Sequence, residues 1–469
     1  MILNFGKVDG VTEEEAKDLI ELADVYNFHH IKNEEKNKYY EGHISLSQVN
    51  LGLALPKKFH GLEIGCAWGQ KTVDVLASRS MFDGFVSGSG EDVIELAGII
   101  ERNKLISEYK KACKDELKYG TTFTTLSSDE NGHCKIRFHS PMTASALWDG
   151  VKGRIKCGIA IIDTVQDEKD KGNWHPSVIN YYTDTDIIVL NRYGDYWMAE
   201  RYPHQMGQPL MVPFIWNATS DKPFGRSRIK EPVRRLIEGY VRTIANATIG
   251  LEFSTAPQKY LMGVTDEQYD ALINDSFKTY IGSILTATTN PDTGTAPQYG
   301  QLPQGNISPH VEMLRILATQ FSAATGLTVT DTGVVNNANP TSSDAILAQS
   351  QTLVSMAEEL NSGNGESLKM IAKMAIAIER NIPLSELEED VEEVMAHFKN
   401  PAMPSVAVTA DAAVKIASSR KDFANTDIYL EMVGFDQADI RRIKAQEQRA
   451  RGNAILMEEF NEDQQENVE

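Results

Sequence analysis

Ser308-Pro309 through Thr325-Gly326, the loop Thr328-Val-Thr-Asp-Thr-Gly-Val-Val-Asn-Asn-Ala-Asn339, and the start Asn339-Pro340-Thr-Ser-Ser-Asp344 decide how this chain is read. Ser308 ahead of Pro309 predicts a helix start, since a capping hydroxyl satisfies an orphan N–H and proline in the first turn has none to lose. That helix is expected to run to Thr325, with Gly326 free to take the left-handed C′ position. After the loop, Asn339-Pro340 and the residues to Asp344 predict a second helix reaching about Leu360. Gly363 and Gly365 are expected to break it before a further helix from Ser367 to Arg380.

The composition of this region is unusual. Between Arg315 and Lys369 there is no Lys, Arg or His, although basic residues are common elsewhere. The acids there are Asp331, Asp344, Glu358, Glu359 and Glu366, and the loop holds only Asp331. The helix after it shows a small polar face of Ser343, Gln349, Ser350 and Thr352. Such a segment can be uncharged by chance or because it packs inside a fold. Alternatively it is a surface that stays near a polyanion without holding it, because removing cations removes phosphate contacts.

Outward from that centre, Arg228 to Gly250 predicts a helix with Pro232 near its start. Its apolar stripe is Val233, Leu236, Ile237, Tyr240, Ile244 and Ala247. Leu251 to Asn306 reads as mixed, with one short helical stretch near Asp266 to Asn274. From Thr121 to Trp216, short alternating runs predict an antiparallel β-rich region. They are Thr121–Leu126, Cys134–Phe138, Ile155–Ile162 and Ile187–Leu190, separated by turns at Asn131-Gly132 and Tyr193-Gly194. Helices are expected at residues 12–28, around Asp74–Arg79, and over Glu91–Leu117 as the longest in the first third. The fold class is therefore α+β. The C-terminal part carries helical stretches at Ala410–Ser419 and Gln437–Arg451, then an acidic tail, Glu458–Glu469, expected to be disordered.

Bulk properties exclude several classes. The 469 residues are 41% hydrophobic and 24% charged. Those are the proportions of an ordinary globular protein, and the length suits two or three modules. No run of about 18 apolar residues predicts a membrane span. Met1 to Lys17 lacks a signal-peptide pattern, which points to a cytoplasmic site of synthesis and use. The four cysteines, Cys66, Cys113, Cys134 and Cys157, show no CxxC spacing, so neither a zinc site nor a disulfide framework is expected. His133-Cys134 reads as a hairpin tip rather than a metal site. A net charge of -20 argues against a protein that grips duplex DNA through phosphate neutralisation.

One stretch suggests an enzyme. Leu62-Glu-Ile-Gly65-Cys-Ala-Trp-Gly69 resembles the first glycine loop of methyltransferases that use S-adenosylmethionine. Against it, Ala67 stands where the loop needs glycine, and Gly88-Ser-Gly90 replaces the acid that would hold the ribose. The alternating β and α units that would complete such a sheet are also missing beyond residue 120. No P-loop, HExxH or GxSxG motif occurs, and Asp184 and Asp186 read as turn residues. No catalytic residue, cofactor or metal is expected.

A resemblance runs through most of the chain. Tyr39-Tyr-Glu-Gly-His43, Leu53-Ala-Leu-Pro56, Trp68, Thr72–Arg79 and Asp83-Gly-Phe85 occur in order. Pro223-Phe-Gly-Arg-Ser-Arg-Ile229, Asn339–Ile346, Pro404-Ser405, Ala410-Asp-Ala412, Lys415, Gly434-Phe435 and Ile440–Arg451 continue the series. Together they resemble the portal proteins of tailed bacteriophages, in the family typified by the portal of a Bacillus siphophage. The resemblance implies a ring, usually of twelve subunits, with wing, stem, clip and crown, at one capsid vertex of the virion and assembled in the host cytoplasm. It implies double-stranded DNA in the channel, and as partners the terminase large subunit, a head-tail connector or adaptor, and the major capsid and scaffolding proteins, with no membrane.

On that basis residues 1–227 would be wing, 228–250 the first stem helix, 251–306 clip and 307–326 the second stem helix. Residues 327–342 would be the tunnel loop, 343–400 the channel helix and more wing, and 401–469 crown and acidic tail. The loop positions facing DNA would be Thr330, Asp331, Thr332, Gly333, Asn336, Asn337 and Asn339, backed by Ser343, Asp344 and Gln349 on the channel helix. Arg226, Arg228, Lys230, Arg234 and Arg235 cluster near the first stem helix. They read either as a solvated face partnered by Glu231 and Glu238, or as contacts to capsid protein or the DNA backbone. A non-viral ring or adaptor protein of the same architecture is the remaining alternative, separable by whether terminase and capsid genes lie alongside.

Overall fold

The computed structural model describes residues 2–45, 63–87, 94–166, 174–194, 196–255, 259–263, 298–301, 306–334, 343–388, 391, 393–402, 406–435, 439–440 and 442–452, with 289, 294 and 296. Along the chain, strand β1 (Lys7–Asp9) and helix α1 (Glu13–Glu41) precede β2 (His43–Ser45), β3 (Glu63–Gly65), α2 (Trp68–Ala77) and β4 (Phe82–Val86). Helices α3 (Ile94–Asn103) and α4 (Leu105–Tyr119) lead into β5 (Thr121–Ser128), β6 (Cys134–His139), β7 (Ala144–Asp149) and β8 (Arg154–Gln166). Then come β9 (Trp174–Tyr182), β10 (Asp186–Tyr193), β11 (Tyr196–Pro203) and β12 (Met211–Ile215). The remainder holds α5 (Glu231–Thr255), β13 (Lys259–Met262), β14 (Gln298–Gln301), α6 (Ser308–Thr325), α7 (Ser343–Arg380), β15 (Met395–Phe398), α8 (Val406–Ser419) and α9 (Asp427–Val433). The fold is α+β, as its sequence pattern predicts.

The chain divides into two compact units. One comprises Met1–Asn37, Lys71–Lys230 and Pro340–Glu469; the other comprises Lys38–Gln70 and Glu231–Asn339.

In the first unit, a six-stranded sheet is ordered β1-β11-β10-β9-β8-β7, antiparallel except for the parallel β1–β11 pair. Helix α1 starts with a capping box. The Thr12 hydroxyl accepts from the Glu15 N–H, and Glu15 returns a carboxylate oxygen to the Thr12 N–H at 2.7 Å. Its inner face, Leu19, Leu22, Ala23 and Tyr26, follows the helical repeat and packs on the sheet. The period-two alternation of the strands presents Ile159, Ile161, Ile179, Tyr181, Ile188, Leu190 and Trp197 to that helix. Each such side chain taken out of water contributes roughly 1.5–3 kcal/mol, which is what fixes the register.

A three-stranded sheet, β12-β5-β6, lies against α4 and α7. Strand β5 is buried on both faces; the Thr124 hydroxyl is buried without a partner, while other threonines of the strand bond locally. Thr122 Oγ1 donates to the His139 carbonyl at 2.8 Å and Thr121 Oγ1 to the Phe214 carbonyl at 2.9 Å. The β5–β6 turn is the hairpin tip expected at His133-Cys134. Asp129 Oδ1 accepts from the N–H groups of Asn131 and His133 at 2.9 Å, and Gly132 supplies the positive φ of 81°. Both are ordinary turn chemistry.

Two helix expectations are corrected. Within Glu91–Leu117, Lys104 adopts a left-handed conformation at φ 51°, which ends α3 and starts α4. At 29 residues, α1 is also longer than either. The break expected at Gly363 and Gly365 does not occur, since α7 runs unbroken for 38 residues. Two helical glycines cost about 1 kcal/mol each. Against that, α7 buries Leu353, Val354, Ala357, Leu360, Leu368, Ile371 and the run Met374–Ala377, which outweighs the glycine penalty.

Asn364, between those glycines, is buried and donates to Tyr109 OH at 2.9 Å and to Glu116 Oε2 at 2.8 Å. Ser80 Oγ completes the chain with Tyr109 OH at 2.7 Å. Burial holds the Glu116 carboxyl up at about 8, against an ordinary value of 4.5. A raised acid stays protonated in the folded state while the unfolded chain ionises. The contribution of Glu116 to stability is therefore fully present below about pH 4.5 and is lost as pH climbs through about 8. Glu116→Gln, a neutral near-isostere, is expected to flatten that slope and to be the more stable chain at pH 8, by denaturant unfolding at a series of pH values. An unchanged slope would mean that Glu116 is not the titrating group.

Toward the C-terminus, α9 is capped by Thr426 Oγ1, which accepts from the Tyr429 N–H, and ends at Gly434 with φ 110°. Residues 442–452 are helical, in keeping with the expected Gln437–Arg451 stretch. The acidic tail Glu458–Glu469 lies outside the described residues.

Candidate functional site

The second unit is built on α5 and α6, which pack against each other. Helix α5 begins at Glu231 rather than Arg228, with Pro232 in its first turn. Its fully buried ridge is Val233, Ile237, Val241 and Ala245, an i, i+4 series, with Leu236, Tyr240, Ile244 and Ala247 only half-buried beside it. Opposite stand Leu317, Ala318 and Phe321 of α6. A β-carbon at Gly239 would sit 3.2 Å from Leu317 Cδ2, so glycine there permits a close helix approach. Strands β13 and β14 pair antiparallel between the two helices in sequence. The helical stretch expected near Asp266–Asn274 lies outside the described residues.

Helix α6 has the predicted bounds, and Gly326 takes the left-handed cap at φ 72°. The capping residue differs from expectation. Position N-cap is Ile307, and Asn306 Oδ1 accepts the Ser308 N–H at 2.9 Å, so Ser308 is the first helical residue and not the cap.

The loop after α6 is rooted rather than free at its start. Val329–Thr332 forms one 3-10 turn with a reciprocal capping box. Thr328 Oγ1 accepts from the Asp331 N–H, while Asp331 Oδ2 accepts from the Thr328 N–H at 2.9 Å and from its hydroxyl at 2.7 Å. The single charge of the loop is thereby used to fold the loop. Gly333 closes the turn at φ 75°. Thr330 is exposed and Thr332 is buried, its carbonyl accepting from Trp68 Nε1 at 3.0 Å. The Trp68 ring in turn lies between Tyr240 and Phe321, each 4.6 Å away by ring centroid. Asn336, Asn337 and Asn339 lie outside the described residues. Ser343, Asp344 and Gln349 fall on the first turns of α7.

The glycine loop that suggested a nucleotide site has a different purpose. Strand β3, which carries Gly65, pairs antiparallel with β2 in a two-stranded sheet, not in a parallel one. Gly69 lies inside α2, where a β-carbon would come 2.0 Å from the Tyr39 carbonyl oxygen. Glycine is required there because α1 and α2 touch backbone to backbone. The methyltransferase reading is overturned.

The residues of the basic cluster have different surroundings. Arg228 is buried, its Nε donating to the Thr72 carbonyl at 2.7 Å, and burial pulls its pKa down to about 10. Exposed Arg226 pairs with Asp221 at 3.6 Å, and Lys230 is exposed. Arg235 spans Glu231 and Glu238 at 3.4 and 3.2 Å, and those carboxylates raise its pKa. Arg234 lies over the Tyr39 ring at 5.7 Å, while Tyr39 OH donates to Glu238 at 2.6 Å. For Arg235 this is the solvated face partnered by Glu231 and Glu238. The burial of Arg228 and the role of Tyr39 have no signal in the sequence. Asp184 likewise serves as an ion-pair partner, for Lys152 and Arg154 at 3.1 Å each.

The family model described as phage portal protein, SPP1 Gp6-like, matches residues 13–453. The chain belongs to that portal family. No curated protein matches the chain. Among solved structures, a neck of a native GTA particle computed with C12 symmetry is similar at 12% identity and TM-score 0.46, covering 78% of this chain and 89% of that one. A neck of an empty GTA particle computed with C6 symmetry has the same identity and TM-score, with 81% and 95% covered. Portal proteins are structural components of the virion and not enzymes, so the lack of a nucleotide-binding motif in the sequence agrees with the family.

Proposed function

We propose that this portal protein is the subunit of a closed ring, twelve-fold in the particle, at one capsid vertex, through which double-stranded DNA enters and leaves. The observation that carries the reading is the cation-free segment between Arg315 and Lys369, rooted at Thr332 by Trp68. A wall without cations makes no phosphate contacts, and a net charge of -20 repels the polymer it surrounds. DNA then slides instead of binding.

In this reading residues 1–227 form the wing, 228–250 and 307–326 the stem, and 251–306 the clip that docks the terminase large subunit and later the head-tail connector. Residues 327–342 form the tunnel loop, with Thr330, Asp331, Thr332 and Gly333 at its root and Asn336, Asn337 and Asn339 beyond. Residues 343–400 supply the channel helix with Ser343, Asp344 and Gln349, and 401–469 the crown. Scaffolding and major capsid proteins are the remaining partners, met in the host cytoplasm during assembly. The test is negative-stain microscopy of the full chain. Closed rings with an axial channel are expected; a monomer or dimer under every condition of salt and concentration would overturn the proposal.

A further inference from the structure

Near its midpoint α7 carries Gly363-Asn364-Gly365, and neither glycine is there to make room. A β-carbon at Gly363 would meet nothing within 4 Å, and one at Gly365 would come no nearer than 3.7 Å, to Phe398 Cε2. Neither has a positive φ. Alanine would fit at both positions and favour the helix more. The two glycines thus leave α7 weakest at one point, between segments that are each fastened to the core. Leu353, Val354, Ala357 and Leu360 are buried before it, and Leu368 and Ile371 after it. Ser367 Oγ also donates to the Pro213 carbonyl at 2.8 Å.

The same point is held by a polar contact that is short of partners. Asn364 Nδ2 donates to Tyr109 OH and Glu116 Oε2, but Asn364 Oδ1 and Glu116 Oε1 are buried and meet no partner among the described residues. Glu116 is fully buried, and only that burial and the Asn364 amide act on its proton. The titratable groups beside it, Tyr109 and Cys113, stay neutral because burial pushes both pKa values up. Charged side chains on the elements around α4 are engaged elsewhere. Asp83 of β4 pairs with Lys399, and Glu95 and Arg102 of α3 pair with Arg380 and Glu379. Glu101 of α3, Lys135 and Arg137 of β6 and Glu366 of α7 are exposed, and His139 of β6 bonds Thr125. Strands β5 and β12 carry no ionisable side chain, and Lys369 of α7 lies about 140° around the helix from Asn364.

We propose that α7 is built to part from α4 at Gly363–Gly365, and that the proton on Glu116 keeps the two helices joined. With the proton in place the contact holds no charge. Without it, a carboxylate sits in the core with one amide for a partner and no cation. The least costly relief is to turn the glycine-flanked triplet out, since the anchored segments on either side and the sheets can stay folded. Opening returns Glu116 to the ordinary carboxylate value of 4.5 from about 8. Over that window each pH unit favours the open form by about tenfold, and above it the gain stops. The switch lies within a single copy of the chain, so it does not depend on the ring.

The test is hydrogen exchange by mass spectrometry on the full chain across about pH 5.5 to 8.5, with rates corrected for the intrinsic pH dependence. Amides of residues 364–369 are expected to exchange faster than those of Ile179 and Leu190 in the six-stranded sheet, and to gain about tenfold per pH unit up to about pH 8. Glu116→Gln should remove the slope. Gly363→Ala with Gly365→Ala should keep the slope and slow these amides about twentyfold. If residues 364–369 exchange at the same corrected rate as Ile179 and Leu190, the opening is unfolding of the whole unit and the hinge is overturned. An unchanged rate in the alanine chain also removes the hinge. A flat pH series in the native chain, or a slope that persists in the glutamine chain, removes Glu116 as its control. The native series decides by itself should the glutamine chain fail to fold.

Discussion

Lysine at both Asn336 and Asn337 is expected to slow or stall DNA packaging while leaving the ring intact. Duplex DNA presents one charge per roughly 1.7 Å of axis, so a cation on the channel wall always has a phosphate within reach. The native loop offers none between Arg315 and Lys369, and its one carboxylate, Asp331, is committed to the Thr328 capping box. Two new phosphate contacts per subunit turn a sliding surface into a binding one. Salt provides the internal control. Two such contacts weaken by about tenfold between roughly 50 and 200 mM salt, so packaging by the doubly substituted chain should recover over that range while the native rate changes far less. Asn336→Gln with Asn337→Gln alters size without charge and should package normally. If the lysine chain translocates and retains DNA at the native rate at low salt, these residues do not line the path.

The sequence is most legible where local rules are not overridden by packing. Helix α6 and its Gly326 cap follow from a proline in the first turn and a glycine that tolerates positive φ, and both occur as expected. The strands Cys134–His139 and Asp186–Tyr193 follow from alternation and flanking turns. Strands β7, β9, β11 and β12 are not legible, because their side chains are set by cross-strand neighbours that a linear pattern does not contain. Gly363 and Gly365 look like a break because propensity alone penalises them; the tertiary burial of α7 on both sides of Asn364 is invisible in a local window. Lys104 is the opposite case, a residue of ordinary helix propensity forced left-handed where two helices meet.

The candidate site shows the same division. The cation-free composition is a property of the sequence and is read from it directly. The Thr328-x-x-Asp331 spacing also signals a capping box, a local sign that the loop starts with an ordered turn. Trp68 cannot be linked to that turn from sequence, since 264 residues separate it from Thr332. The glycine at position 69 misleads for a related reason. A glycine that lets backbone approach a ligand and one that lets two helices approach each other look the same in sequence.

Trp68 also carries the largest stability effect expected in the second unit. Trp68→Ala removes a buried indole held between Tyr240 and Phe321 and leaves a cavity, for which about 3–5 kcal/mol is the usual cost. That is a large share of the stability of a typical domain and should appear as a clear drop in the unfolding temperature. Trp68→Phe separates packing from anchoring. It keeps an aromatic ring between its neighbours but leaves the buried Thr332 carbonyl without its donor, a loss on the order of 1–3 kcal/mol. Because that carbonyl belongs to the turn at the loop's root, the phenylalanine chain should exchange the Asp331 and Gly333 amides faster than the native chain. Amides in α5 should change less. On the proposed tunnel-loop reading, DNA retention should fall with it. Unchanged exchange at Asp331 and Gly333 in the phenylalanine chain would show that the 3-10 turn holds itself through Thr328 and Asp331. In that case Trp68 serves the helix pair alone.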